Sequence, residues 1–119
     1  MTQPDPQPHT DPPQQRELEE ILAQLATLGF CLPGSVQERY IRCQNPRCRC
    51  HHDPPQLHGP YIAWTRKAAG KTVTHNLTPQ QAERYSPWLA DNRRLRQLTT
   101  ALQALSLRTA DQAEGWGEK

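Results

Sequence analysis

Three cysteines and a histidine crowd one short polar stretch, Cys43-QNPR-Cys48-R-Cys50-HHDPPQL-His58-Gly59-Pro60-Tyr61. The residues from Gln44 to Ile62 hold four prolines and most of the chain's unusual side chains. A loop of that length in so small a chain needs something to tie it down. Three thiols at spacings of five and two, followed eight residues later by an imidazole, can converge on one small sphere. The Asn45-Pro46 turn folds Cys43 back toward Cys48. Three thiolates and one imidazole suit the tetrahedral coordination of zinc. A structural zinc contributes about 10 kcal/mol or more in a small module, beyond what a thin core supplies. The sequence therefore predicts a structural Zn2+ on Cys43, Cys48, Cys50 and a fourth donor. His58 has the separation for it and begins a strand, so it would pin the loop to a sheet; Cys31, His51 and His52 are the alternatives. Buried inert thiols fit poorly with so polar a loop. A Cys48–Cys50 redox switch, its thiols acidified by Arg47 and Arg49, is the competing chemistry.

The 119 residues allow one small domain. Met1 is followed by TQPDPQPHTDPPQQ, with neither a basic flank nor an apolar stretch, and no run approaches the length of a membrane helix. The expected compartment is the cytoplasm, where cysteines serve metal or redox chemistry more than disulfides. Five prolines and three glutamines in residues 1–14 predict a disordered tail.

From Gln15 the pattern changes. Leu18, Ile21, Leu22, Leu25 and Leu28 recur at helical spacing, with acidic residues in the first turn and Gly29 placed as a C-terminal cap. Residues 35–43 read as a strand. Residues 60–67 and 71–77 flank Ala68-Ala69-Gly70 and read as a hairpin with a bulge at its turn. Thr78-Pro79-Gln80-Gln81 combines a threonine cap, a proline at the first helical position and a capping-box glutamine. The helix it opens contains Pro87, which kinks or splits it. Trp88, Leu95, Leu98, Leu102 and Leu105 then form a leucine seam matching the 3-4-3 steps of the first helix. The two seams pair within one chain or between two, which makes Leu95, Leu98, Leu102 and Leu105 a candidate dimer or partner surface. The fold expected is α+β: an N-terminal helix, a small three-stranded antiparallel sheet with a metal-stapled loop, and a long kinked C-terminal helix. The domain spans residues 15–107, and residues 108–119 form a second tail.

Charge is uneven along the chain. Residues 1–35 carry −4 and residues 78–119 carry +1, whereas residues 36–77 carry seven Arg/Lys against Glu38 and Asp53, a balance of +5. A basic module of this kind points to a polyanionic partner. Arg39, Arg42, Arg47, Arg49, Arg66, Lys67 and Lys71 all fall on the sheet or its loop, beside Thr72, Thr74 and Asn76. A sheet that turns its apolar side to the helices would present these outward for phosphate contacts, and a narrow β-ribbon can enter a major groove. No acid–base pair or pocket-forming segment points to catalysis or to a small-molecule substrate, so the chain reads as a non-enzyme.

The run GSVQERYIRC…CRC…HGPYIAWTRK…GKTVTHNLTPQQAERYSPWLADNRRLRQL resembles a family of small bacterial proteins known only as a domain of unknown function. The resemblance covers Gly34 to Leu107, and its cysteine loop and HGPY sequence are its most specific parts. It implies a compact sheet-plus-helix module with a zinc loop, its ligands matching Cys43, Cys48, Cys50 and His58; Cys31 lies outside the shared pattern. Members of that family often sit near transposases or integrases, so the resemblance is compatible with a DNA-binding accessory or regulatory protein of a mobile element. Gln44-Asn45 departs from the Gly-Lys of many members and removes a positive charge from the loop. The reading from a different class is a protein–protein adaptor that docks through its leucine seams, with zinc purely structural.

Overall fold

The computed structural model describes residues 11–117. Its elements run α1 (Pro12–Leu25), β1 (Ser35–Ile41), a 3-10 turn (Arg49–His51), β2 (His58–Ala68), β3 (Lys71–Leu77) and α2 (Pro79–Glu114). The architecture is the expected α+β, with strands in the order β1-β2-β3 and both pairings antiparallel. Two compact units divide the chain: residues 31–92, and residues 11–30 with 93–117.

The second of these units is an antiparallel helix pair. Ile21, Leu98 and Leu105 are buried together, and Leu18, Leu25, Leu28 and Leu102 pack against them. Polar contacts run antiparallel along the seam: Gln14 to Gln112, Arg108 to Glu17 at 3.1 Å, and Arg94 to Thr27 at 3.5 Å. The Arg108–Glu17 pair is solvent-exposed and contributes little. Apolar burial holds this unit, with Leu98, Leu102 and Leu105 of the seam packed against the leucines of α1 and Leu28.

Helix boundaries differ from the sequence reading at three points. α1 starts at Pro12, because Gln14 Oε1 accepts the Asp11 backbone N–H and proline needs no donor in a first turn. Residues 12–14 are thus helical, and residues 1–10 of the expected tail lie outside the described residues. α1 ends at Leu25, ahead of Gly29; the left-handed glycines are Gly34, Gly59, Gly70 and Gly115. α2 passes Pro87 as one helix and continues through the expected tail to Glu114. Gly115, at φ 72°, closes it by donating its N–H to Asp111 O at 2.7 Å.

The sheet unit is built on a hairpin. Ala68 pairs with Lys71, leaving Ala69 and Gly70 as a two-residue turn with φ of 51° and 78°. Two positive φ values mark the tight turn whose twist matches a hairpin, so no bulge is needed there. Alternation from the pairings then assigns faces. Ile62, Trp64, Arg66, Val73, His75, Leu77, Val36 and Glu38 share one face; Tyr61, Ala63, Thr65, Lys67, Thr72, Thr74, Asn76, Arg39 and Gln37 share the other. The first face meets α2, where Trp64, His75 and Leu77 line a cavity of about 410 Å³ with Gln81 and Tyr85. Trp64 stacks on His75 at 5.5 Å and donates its indole N–H to Pro33 O at 2.9 Å. α2 opens with the full capping box expected: Thr78 N–H donates to Gln81 Oε1 at 2.9 Å, and Gln81 N–H to Thr78 Oγ1 at 3.1 Å.

Candidate metal centre

The loop between β1 and β2 is organised from its backbone outward. Asn45 opens a turn: its Oδ1 accepts the Arg47 N–H at 3.1 Å and its carbonyl accepts the Cys48 N–H at 3.1 Å. The 3-10 turn follows, with His51 N–H bonded to Cys48 O and His52 N–H to Arg49 O. These turns carry Cys48 and Cys50 back beneath the end of β1. Cys43 donates its N–H to Cys50 Sγ at 3.3 Å, and the two sulfurs lie 3.7 Å apart.

His58 arrives from the other side by way of a β-bulge. Ser35↔Thr65 to Arg39↔Tyr61 keep one register, but Ile41 then pairs with His58. Gly59 and Pro60 together face Tyr40, so β2 carries one extra residue. Simple alternation would have put His58 opposite Arg42; the bulge moves it one position and thereby reverses its face. Gly59 makes this local path available. Its φ is 134°, and a Cβ there would lie 2.6 Å from Arg39 O.

The ligand atoms of Cys43, Cys48, Cys50 and His58 all lie within 4.8 Å of one another. Cys48 Sγ is 3.1 Å from His58 Nε2. A tetrahedron of thiolates at zinc-like bond lengths has an edge of about 3.8 Å, which the Cys43–Cys50 separation matches. The four residues are therefore close enough to bind a metal ion, and their donor chemistry is that of a closed four-ligand site. Cys50 is fully buried, whereas Cys43, Cys48 and His58 are half-buried at the edge of the loop.

The thiols differ in acidity. Cys48 is held at about 6, against an ordinary 9.0, first by the backbone N–H of Cys50 and then by the Cys43 side chain. Burial pushes the Cys50 thiol up. One ligand is thus ready as a thiolate at neutral pH, while the buried one favours its proton until a cation replaces it.

The other candidates for fourth donor are placed elsewhere. A carbonyl can only accept, so the 2.7 Å contact of His51 Nε2 with Cys43 O fixes His51 as the donor; it positions a ligand's backbone. Cys31 and His52 lie outside the cluster.

The basic residues are divided among three places. Arg42, Arg47 and Arg49 are exposed on the loop. Arg39 and Lys67 occupy the sheet face turned away from α2, with Lys67 Nζ donating to Thr72 Oγ1 at 2.9 Å. Arg66 and Lys71 are on the opposite face, where the Arg66 guanidinium sits 5.3 Å from the Trp64 ring centroid. Arg66 and Lys67 therefore fall on opposite faces, because successive strand residues alternate across the sheet. The sequence reading does not single out Tyr61; its place opposite Arg39 follows from the β1–β2 register, which is set by residues distant in sequence.

No helix among the described residues is long and apolar enough to cross a membrane. No curated protein and no solved structure matches the chain. A family model does match over residues 12–86, reaching back through α1 and ending before the leucine seam of α2. More than half of the chain is covered, and it belongs to the family described as a domain of unknown function, DUF6788.

Proposed function

We propose that this protein is a small zinc-stapled module that binds nucleic acid, DNA in the first instance, through the cations carried on its metal loop and sheet. One observation carries the reading: the loop that Cys43, Cys48, Cys50 and His58 draw together also displays Arg42, Arg47 and Arg49 to solvent. Zinc suits the site because three sulfurs and one imidazole nitrogen match its ligand preferences, and four protein donors leave no open position for substrate. The metal's role is structural, and the protein is not assigned an enzymatic one. The adaptor alternative has less to stand on, since Ile21, Leu98, Leu102 and Leu105 pack within the chain. The family resemblance extends the proposal to an accessory role in a mobile element.

Fluorescence polarisation with a mixed-sequence DNA probe across a salt series tests the reading. Each neutralised phosphate steepens the salt dependence, so several contacts cost about 10³-fold in affinity between roughly 50 and 200 mM salt. The combined variant Arg42→Gln, Arg47→Gln, Arg49→Gln should weaken binding and flatten that slope while retaining its metal. Salt-independent affinity, or a triple variant that binds as well as the parent, overturns the proposal.

A further inference from the structure

The sheet face turned away from α2 is distinguished by what it lacks. Ser35, Gln37, Arg39, Tyr61, Thr65, Lys67, Thr72, Thr74 and Asn76 share it, and no carboxylate does; Glu38, the one acidic residue of the sheet, points to the opposite side. β1 is exposed along its whole length, and Thr72, Thr74 and Asn76 are exposed on β3. Arg39, Ile41, Tyr61 and Asn76 line a shallow concavity of about 400 Å³ on this face. Tyr61 is 40% exposed and lies opposite Arg39 in the register. Among the described residues, the side chains of Arg39, Tyr61 and Asn76 make no hydrogen bond or ion pair, so all three are free to meet a ligand.

We infer that this face takes the unpaired bases of a single-stranded nucleic acid, with Tyr61 as the stacking platform. Every base offers a π-face, so one exposed ring serves any sequence. The Asn76 amide supplies a donor and an acceptor for a base edge, and Arg39, directly across the strand pair from the ring, meets an adjoining phosphate; Lys67 lies farther along the same face, toward the hairpin turn, for a phosphate several nucleotides away. A duplex keeps its bases stacked on one another and would leave Tyr61 idle. The exposed Arg42, Arg47 and Arg49 continue the cationic track from the end of β1 onto the metal loop. The inference rests on the nucleic-acid reading above and specifies which form of nucleic acid the sheet selects.

The test uses the metal-loaded full chain and polarisation of labelled oligo-dT, oligo-U and a mixed-sequence duplex of equal length. The single strands should bind more tightly than the duplex. Tyr61→Ala should cost the single strands about 5- to 150-fold, the range for loss of one stacked base, with little change for the duplex. Tyr61→Phe should restore binding, since the ring and not the hydroxyl is at work. Comparison of oligo-dT with oligo-U tells whether DNA or RNA is preferred. Tight duplex binding with Tyr61→Ala indifferent on every probe overturns the single-strand inference and leaves the nucleic-acid reading standing. Absence of binding to all three probes overturns both. Unchanged metal content in Tyr61→Ala guards against an unfolded variant, and Tyr61→Phe remains decisive if the alanine variant fails to fold.

Discussion

Gly59→Ala should do more damage than its single methyl group suggests, and the reason is geometric. The added Cβ would sit 2.6 Å from Arg39 O and 3.2 Å from both Tyr40 Cδ1 and Tyr61 N. Carbon contacts settle at roughly 3.5 Å, and a strand carbonyl cannot swing aside as a side-chain tip can. The φ of 134° adds conformational strain of about 1–3 kcal/mol for an L side chain, and overpacking adds about 1–3 kcal/mol more. Gly70→Ala is the matched control: its φ is 78°, but its Cβ would meet nothing within 4 Å, so only the left-handed cost of about 1–2 kcal/mol applies. Urea unfolding of both variants, with metal and after chelation, measures the difference. If the bulge collapses, His58 returns to the wrong face and zinc affinity should fall about tenfold or more in a competitive chelator titration. Equal unfolding midpoints for the two variants, with zinc affinity unchanged in Gly59→Ala, would refute the account of the bulge.

Three shorter tests bear on the site and its support. Cys48→Ser should lose stoichiometric metal binding while Cys31→Ser retains it, as read by metal analysis of purified protein; equal retention would dissolve the four-residue cluster. In chelated protein at neutral pH, Cys48 should alkylate first and Cys50 last by peptide mapping, because Cys48 is held at about 6 and Cys50 is both buried and raised. The sign for stability follows: the Cys48 contribution is fully present above 9.0, its ordinary value, and is lost as pH falls through about 6. An acid limb of the metal-free stability curve confined to lower pH would contradict it. Leu105→Ala, at a site 4% exposed, should cost about 2–5 kcal/mol by denaturant unfolding, and Leu107→Ala, 66% exposed, within about 0.5 kcal/mol.

Much of the fold was legible because its signals are local. The Thr78-Pro79-Gln80-Gln81 start reads directly, since every group in a capping box lies within one turn of chain. The leucine spacing of Leu18, Ile21, Leu25 and Leu28 announces a buried stripe with a matching seam in α2, and the structure pairs the two within one chain. The extent of α2 was missed because the ADQAE run carries no apolar pattern; Gly115, a typical left-handed helix stop, was the available signal. The hairpin turn was read one residue too long, as Ala69 takes a positive φ that its side chain does not advertise.

The sequence by itself determined the donor types and their clustering: three thiols and nearby imidazoles in a loop too polar to bury them. Tertiary structure alone decided which imidazole joins the thiols. Spacing favours His58 but leaves His51 and His52 open, and the choice falls to a single extra residue in β2 that reverses the face of His58 while His51 is spent on a backbone carbonyl. It likewise decided that Arg39 and Lys67 share a face that Arg66 and Lys71 do not. Charge counts are additive along a chain, but the side of a sheet on which each charge lands depends on register, and register is set by partners distant in sequence.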